Sequence, residues 1–177
     1  MITIRPLTAQ SISDRAGVSR IFREAPGYTE LVEGRAPSED DVDDFFNGKP
    51  ESKELSDKAG FGLYVGPDMV GCADVIRGYP SDDCAFIGLL LFSEAHQNRR
   101  YGRAALGMID EIAGMWGCGK LRLAVVTKNL RALAFWQREG FAVIHTKTNP
   151  RFLGTVTVME RLIRYPPKPR PGALRIT

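Results

Sequence analysis

The chain has 177 residues, of which 44% are hydrophobic and 25% charged, and its formal net charge is +3. This length and composition are typical of one globular domain with its own core. No run of eighteen apolar residues occurs and the N-terminus carries no cleavable apolar segment, so the sequence predicts a cytoplasmic protein rather than an exported or membrane-inserted one.

Cysteine and histidine are sparse and scattered. Cys72, Cys84 and Cys118 are odd in number and contain no C-x-x-C pair, while His96 and His145 lie far apart. Such spacing favours neither a disulfide framework nor a zinc site, and the sequence therefore predicts no bound metal.

The first elements follow from hydrophobic spacing and turn residues. Residues 2–7 alternate as a short strand, and residues 12–24 have helical spacing that ends at Pro26. Ser38 is a good N-cap for a second helix. The segment 27–37 between the helices has too little periodicity for regular structure. Because it carries Tyr28 and Glu33, a substrate-gating loop and an ordinary surface connection are both open.

The middle of the chain predicts a hairpin and a buried strand. Residues 59–65 and 69–78 alternate and are joined by a turn at 66–68, and an apolar strand covers 85–92. These strands are predicted to be antiparallel neighbours.

A strand–turn–helix–strand unit follows, over residues 87–126. Its crossover helix predicts that the two strands are parallel. A helix at 130–139 and a last hairpin, 141–148 with 152–163, complete a domain of residues 1–165. Residues 166–177 form a Pro-rich, basic C-terminal tail, for which we expect no regular structure.

The turn at Gly102, before the helix of the 87–126 unit, predicts an anion site. The first N–H groups of a helix have no internal acceptor, and Gly102 lets an anion approach the backbone closely. Arg99, Arg100 and Arg103 add positive charge, so the expected ligand is a phosphate or pyrophosphate. On the turn alone, a solvated helix end is the favoured explanation of the pattern.

The order of motifs from Gln97 onwards resembles the GNAT superfamily of acyl-CoA-dependent N-acetyltransferases. The superfamily's pyrophosphate pattern, Q/R-x-x-G-x-G/A, falls on Gln97–Gly102, and its later Asn and aromatic pair fall on Asn129 and on Phe135 with Trp136. The resemblance implies a single-domain α/β (α+β) fold. Its mixed, mostly antiparallel sheet has one parallel strand pair splayed at a cofactor cleft, with helices on both faces.

The resemblance also implies acetyl-CoA as the acyl donor. The residues expected to contact it lie on the strand before the turn, on the turn, and on the helix after Asn129. They are Leu90, Leu91, Phe92, Gln97, Asn98, Arg99, Arg100, Tyr101, Gly102, Arg103, Ala104, Asn129, Ala132, Phe135 and Trp136.

Three positions depart from the superfamily. Arg100 stands where its first Gly is usual, and we expect a retained turn with a negative φ at this residue. Trp136 stands where many members have a Tyr that protonates the leaving thiolate, and an indole N–H is no such acid. Phe86 stands where several members place a glutamate base.

The residues proposed for catalysis are Asp74, Glu33 and Tyr79. Asp74 interrupts an apolar strand, where burial would raise its pKa towards neutrality and suit it to act as a base, although a structural acceptor is an equal alternative. Glu33 is a further candidate base, and Tyr79, like Tyr28, is a candidate to orient substrate.

The expected function is transfer of an acetyl group from acetyl-CoA to a primary amine of a small molecule or peptide. The alternative is a CoA-binding regulatory or scaffold module without catalysis. The basic residues cluster at one turn and do not form the broad surface of a nucleic-acid binder, so neither nucleic acid nor membrane is expected as a partner. A homodimer is compatible with such a fold, although no patch in the sequence requires one.

Overall fold

The computed structural model describes residues 1–164, so the predicted tail at 166–177 lies outside the described residues. These residues form one seven-stranded sheet with the order β1-β2-β3-β4-β5-β7-β6. The strands are β1 Ile2–Leu7, β2 Lys58–Val65, β3 Asp68–Arg77, β4 Cys84–Phe92, β5 Lys120–Val126, β6 Ala142–Thr148 and β7 Thr155–Leu162. The helices are α1 Ile12–Glu24, α2 Pro26–Glu33, α3 Glu39–Asn47, α4 Tyr101–Met115 and α5 Leu130–Arg138.

The pairing of the sheet confirms the predicted fold class. The strand pairs are antiparallel apart from β4 with β5, which the crossover helix α4 makes parallel. None of the helices in residues 1–164 is long and apolar enough to cross a membrane.

The parallel pair separates halfway along its length. β4 and β5 are paired from Cys84 opposite Lys120 to Ile87 opposite Leu123, and the pairing stops there. Beyond that point β5 stays on β7 up to Val126, while β4 stays on β3 up to Phe92. A gap therefore opens between β4 and β5 towards their C-terminal ends.

Helices cover both faces of the sheet. On the face that we call the α4–α5 face, Leu106 and Ile109 of α4 and Trp136 of α5 pack on Ile87 and Leu123. On the opposite face, called the α1–α3 face, side chains of α1 and α3 pack on β3 and β4. These side chains are Val18, Ile21, Phe22, Val42, Phe45 and Phe46, against Cys72, Leu89 and Leu91.

The segment predicted to lack regular structure contains helix α2. Pro26 stands in its first turn, where proline is tolerated, and Gly34 ends it with a φ of 72°. Its sequence has a weak local preference for helix because it contains Gly27 and the β-branched Thr29 and Val32. Burial of Thr29 and Val32 against the rest of the domain stabilises the helix instead.

Candidate active site

The turn before α4 has an unusual backbone. Asn98 and Arg100 both have positive φ, at 60° and 62°, while Arg99 between them does not. Such alternation of φ can turn successive N–H groups to one side, which is the geometry of concave backbone sites that bind anions, and the first amides of α4 lie next to it. The expectation of a negative φ at Arg100 was wrong, because this residue adopts the conformation that glycine would otherwise supply.

Side chains around the turn hold it in place. Gln97 donates from Nε2 to the Phe92 carbonyl at 3.0 Å, and Arg131 of α5 donates to Asn98 Oδ1 at 2.8 Å. Gly102 lies against the ring of Phe135, and a Cβ there would come within 3.1 Å of that ring. The turn is thus fastened to both β4 and α5.

The predicted arginines lie around the turn, and their side chains are exposed to solvent. Arg99, Arg100 and Arg103 are exposed, and Arg103 Nε lies 4.0 Å from the carboxylate of Glu139. Tyr101 and Gly102 are partly buried, and the amide of Ala104 makes the first helical bond, to the Arg100 carbonyl at 3.4 Å.

The gap runs from this turn into the sheet. The backbone of Leu90, Leu91 and Phe92 lies beyond the last β4–β5 pair, as predicted, although the side chains of Leu91 and Phe92 are buried. On the far side, Asn129 accepts a hydrogen bond from the Ala132 amide at 3.1 Å, which makes it the N-cap of α5.

Trp136, which the resemblance assigned to the cofactor site, lies mostly inside the core. Only 7% of it is exposed, and its ring packs edge-on between Phe135 and Phe141 inside the core of the α4–α5 face. The reason is the helical spacing of α5, which turns Trp136 towards the sheet and leaves Phe135 beside Gly102.

On the α1–α3 face, the middle of β4 is open to solvent at one residue. Gly88 is exposed although its neighbours Ile87 and Leu89 are buried, and the β3–β4 register shifts at this point. An extra residue in one strand is a β-bulge, which glycine favours. The bulge lies where β4 leaves β5.

Asp74 of β3 lies against this opening. The residue is 5% exposed, and its carboxylate accepts a hydrogen bond from Lys58 Nζ at 2.9 Å. Burial raises the pKa of Asp74, and the opposing charge of Lys58 only partly offsets that effect. The residue therefore has the geometry and the direction of pKa shift expected of a base, beside a structural partner.

Glu33 lies at the end of α2, in an ion-pair network. Its carboxylate is 2.6 Å from Arg35 and 3.3 Å from Arg151, and Arg151 also pairs with Asp44 of α3 at 2.8 Å. Next to this network, the Leu153 amide donates to the Val32 carbonyl at 2.9 Å. Helix α2 and the turn between β6 and β7 are thus joined at the rim of the site.

Tyr79 lies at the other end of β4. Its amide donates to the Cys84 carbonyl, and its ring packs edge-on against Phe86 with the ring centres 5.5 Å apart. This is the end where β4 and β5 are still paired. The structure therefore brings Asp74 to the opening, places Glu33 in the network that joins α2 to the β6–β7 turn, and places Tyr79 beside Phe86, two residues before Gly88 on β4.

Three residues of the site were not identified from the sequence. Gly88 makes the opening, Lys58 pairs with Asp74, and Arg151 links the two walls. A glycine within the apolar run 87–92 is a signal for a bulge, but nothing local indicates the two cations, which lie 16 and 118 residues from their partners Asp74 and Glu33. Within residues 1–164, no three His, Cys, Asp or Glu side chains are grouped to hold a metal ion.

Comparison with known proteins shows what this chain is similar to in sequence and fold. The model of the acetyltransferase (GNAT) family matches residues 20–141. An acetyltransferase from Thermus thermophilus is 30% identical, with a TM-score of 0.73 over 92% of this chain and 97% of that one. No curated protein sequence matches the chain.

Two more distant structures share the fold. The ribosomal-protein-S18-alanine N-acetyltransferase of Escherichia coli is 18% identical, with a TM-score of 0.65 over 92% of this chain and 94% of that one. The PaiA N-acetyltransferase of Thermoplasma acidophilum, solved in complex with coenzyme A, is 20% identical, with a TM-score of 0.64 over 92% and 99%.

The sheet order, the parted parallel strands and the turn before α4 define the class of acetyltransferase folds. The match over residues 20–141 goes further, and the chain belongs to the acetyltransferase (GNAT) family.

Proposed function

We propose that this protein transfers an acetyl group from acetyl-CoA to a primary amine of a small molecule or peptide, by direct attack within a ternary complex. The observation that carries the proposal is the gap between β4 and β5. It runs from the anion-binding turn at one end to the opening at Gly88, where the carboxylate of Asp74 lies.

The residues of the turn fit the donor. Its concave backbone and the free amides of α4 suit the diphosphate, and the exposed arginines suit an anionic nucleotide. The unpaired backbone of β4 beyond Ile87 suits the amide-rich pantetheine arm, which would lie in the gap like a further strand. In this placement the thioester comes to the level of Gly88.

The chemistry requires a free amine and an activated thioester. Acetyl-CoA supplies the thioester. Asp74 accepts a proton from the incoming ammonium, and the amine nitrogen then attacks the carbonyl carbon. The C–S bond breaks, the nitrogen of the adduct gives up its second proton, and the leaving thiolate takes up that proton through water to become the CoA thiol. Holding both substrates in one gap contributes much of the acceleration, which lessens the need for a tyrosine on α5.

Two glycines of α4 provide a matched test of donor binding. Gly102→Glu places a carboxylate in the anion site and against Phe135, whereas Gly107→Glu places the same group where nothing lies within 4 Å. We expect calorimetry with acetyl-CoA to show binding for the wild type and Gly107→Glu, and at least about a tenfold loss for Gly102→Glu. Equal binding by all three proteins contradicts the proposed donor site.

Asp74 is tested by the pH dependence of turnover. Release of thiol from acetyl-CoA is measured with a panel that contains spermidine, an aminoglycoside and a peptide with a free N-terminus. For the best acceptor, the wild-type rate should rise with pH as Asp74 loses its proton, and Asp74→Asn should lose this rise with a fall of about 10²–10⁴-fold. An unchanged profile excludes Asp74 as the base.

A non-catalytic CoA-binding module is the second candidate. It is favoured by the burial of Trp136, the presence of Phe86 on β4, and the pairing of Asp74 with Lys58. Such a module binds acetyl-CoA in the calorimetric experiment but releases no thiol with any amine of the panel, so the two measurements together separate the candidates.

A further inference from the structure

Tyr28 of α2 packs across the gap between β4 and β5. On one side its ring joins the cluster that contains Leu89 and Leu91 of β4. On the other side the same ring joins the cluster of Val126, with Ala124, on β5. Tyr28 therefore lies on the α1–α3 face, between the cluster that includes β4 and the cluster that includes β5.

The hydroxyl group of Tyr28 has a charged environment but no partner. Among residues 1–164, it makes no hydrogen bond, and the charges that act on it come from Asp74, Arg151, Glu33 and Asp41. All of these except Asp74 are held in the ion-pair network at the rim, and Asp74 is held by Lys58. Tyr28 is only partly buried and its hydroxyl is accessible, so an unpartnered donor near Asp74 is available to a ligand in the gap.

The protonation state of Tyr28 makes this group a donor. Burial raises the pKa of Tyr28 far above its ordinary range, and the negative charge of Asp74 raises it further. Arg151 acts in the opposite direction but does not reverse the shift. The phenol thus keeps its proton at any pH at which the protein works.

The reacting centre offers one atom that suits such a donor. During acyl transfer, negative charge develops on the carbonyl oxygen of the thioester, and a donor fixed in advance stabilises that charge. The Tyr28 oxygen can also accept a hydrogen bond, but the ammonium of the acceptor pairs more strongly with the charged carboxylate of Asp74. In this arrangement Asp74 contacts the acceptor nitrogen, and Tyr28 contacts the carbonyl oxygen.

We propose that the Tyr28 hydroxyl donates a hydrogen bond to the acyl carbonyl oxygen of acetyl-CoA in the gap. This inference rests on the proposed function. Tyr28 of α2 would then provide a hydroxyl group that α5 lacks, because Trp136 has no hydroxyl and is buried in the core.

The test compares Tyr28→Phe, which removes only the hydroxyl, with Tyr64→Phe as a matched control. Tyr64 packs against the same cluster on the α1–α3 face, but its ring lies on β2, 4.5 Å from the guanidinium of Arg5. Calorimetry is performed with acetyl-CoA and with CoA, which lacks the carbonyl. Turnover is measured with the best amine of the panel, and stability by thermal unfolding.

The wild type and Tyr64→Phe should bind acetyl-CoA roughly two- to tenfold more tightly than CoA. Tyr28→Phe should lose that preference while it binds CoA as the wild type does, and its kcat should fall at least about tenfold with little change in KM for acetyl-CoA. A merely structural Tyr28 would instead lower the melting temperature and weaken binding of both ligands equally.

The outcomes separate the two proposals. If the wild type releases thiol and Tyr28→Phe keeps both its kcat and its preference for acetyl-CoA, the role of Tyr28 is overturned and the proposed function stands. If the wild type binds acetyl-CoA but acetylates no amine of the panel, the proposed function fails, and the assignment of Tyr28 to acyl transfer fails with it.

Discussion

Asp74 of β3 fills the space that a side chain at position 88 of β4 would need. A Cβ added at Gly88 would overlap Asp74 Oδ1, so the acid and the glycine are complementary across the β3–β4 ladder. Because Gly88 is also exposed, a carboxylate that belongs to β3 reaches the open edge of β4. Phe86 occupies the position where the resemblance implied a glutamate on β4, and Asp74 brings an acid close to it from the neighbouring strand.

Replacement of Gly88 by Ala should therefore destabilise the protein. The added methyl group must displace the Asp74 carboxylate, which Lys58 also holds, and we expect the free energy of unfolding to fall by about 1–3 kcal/mol. Urea denaturation measures the change. Gly107→Ala is the control, because its methyl group meets nothing and should add about 0.5–1 kcal/mol to the stability of α4. Equal stability of Gly88→Ala and the wild type would show that Asp74 is not wedged against β4.

The raised pKa of Asp74 predicts a stability that declines with pH. Between the ordinary value of 3.8 and the higher pKa of the folded state, the native protein binds more protons than the unfolded chain. The contribution of Asp74 to the free energy of unfolding is therefore largest below pH 3.8 and is lost as pH rises through the folded pKa. In urea titrations across this range, the wild type should lose stability relative to Asp74→Asn as pH increases, and parallel curves would contradict the shift.

Asp41 should have the opposite dependence. Burial alone would raise its pKa, but hydrogen bonds from Arg35 and from the Ser38 amide outweigh burial and lower it. Its contribution is thus present above pH 3.8 and is lost as pH falls through the folded pKa. Asp41→Asn should cost about 1–3 kcal/mol at pH 7 by urea denaturation and much less in acid. The exposed neighbour Asp40, replaced by Asn, should change stability by under about 0.5 kcal/mol.

The left-handed backbone of Arg100 should be relieved by glycine. An L-residue with a φ of 62° is strained by roughly 1–2 kcal/mol, part of which glycine returns as conformational entropy in the unfolded state. Arg100→Gly should therefore raise the free energy of unfolding by up to about 1 kcal/mol, measured by urea denaturation. Arg99→Gly removes the same charge from a residue without positive φ, and any gain in stability for this variant would refute the explanation.

The sequence correctly predicted the elements that have a strong local signal. The run 87–92, the turn at Gly102 and the helical spacing after it depend on residues that are close in the chain, so hydrophobic period and turn chemistry predict them. Asn129 is similar, because an N-cap bonds to an amide only three residues away.

Features that depend on distant residues were missed or misplaced. Helix α2 has weak intrinsic preference and is stabilised by burial of Thr29 and Val32. The conformation of Arg100 follows from how the turn is fastened by Gln97 and Arg131, and a sequence pattern does not report that. The burial of Trp136 between Phe135 and Phe141 likewise follows from the packing of α5 on the sheet, which the sequence pattern does not report.

The sequence by itself determined the class of fold, the crossover that makes β4 and β5 parallel, and the turn that suits a phosphate, since all three are encoded by short-range patterns. The tertiary structure alone decided what surrounds the reacting centre. Asp74 meets Lys58 and Gly88, and Tyr28 meets both sides of the gap, because strands and helices far apart in the chain pack together there. Burial and charge at such a site are sums over distant residues, and only the packed domain brings those residues within range.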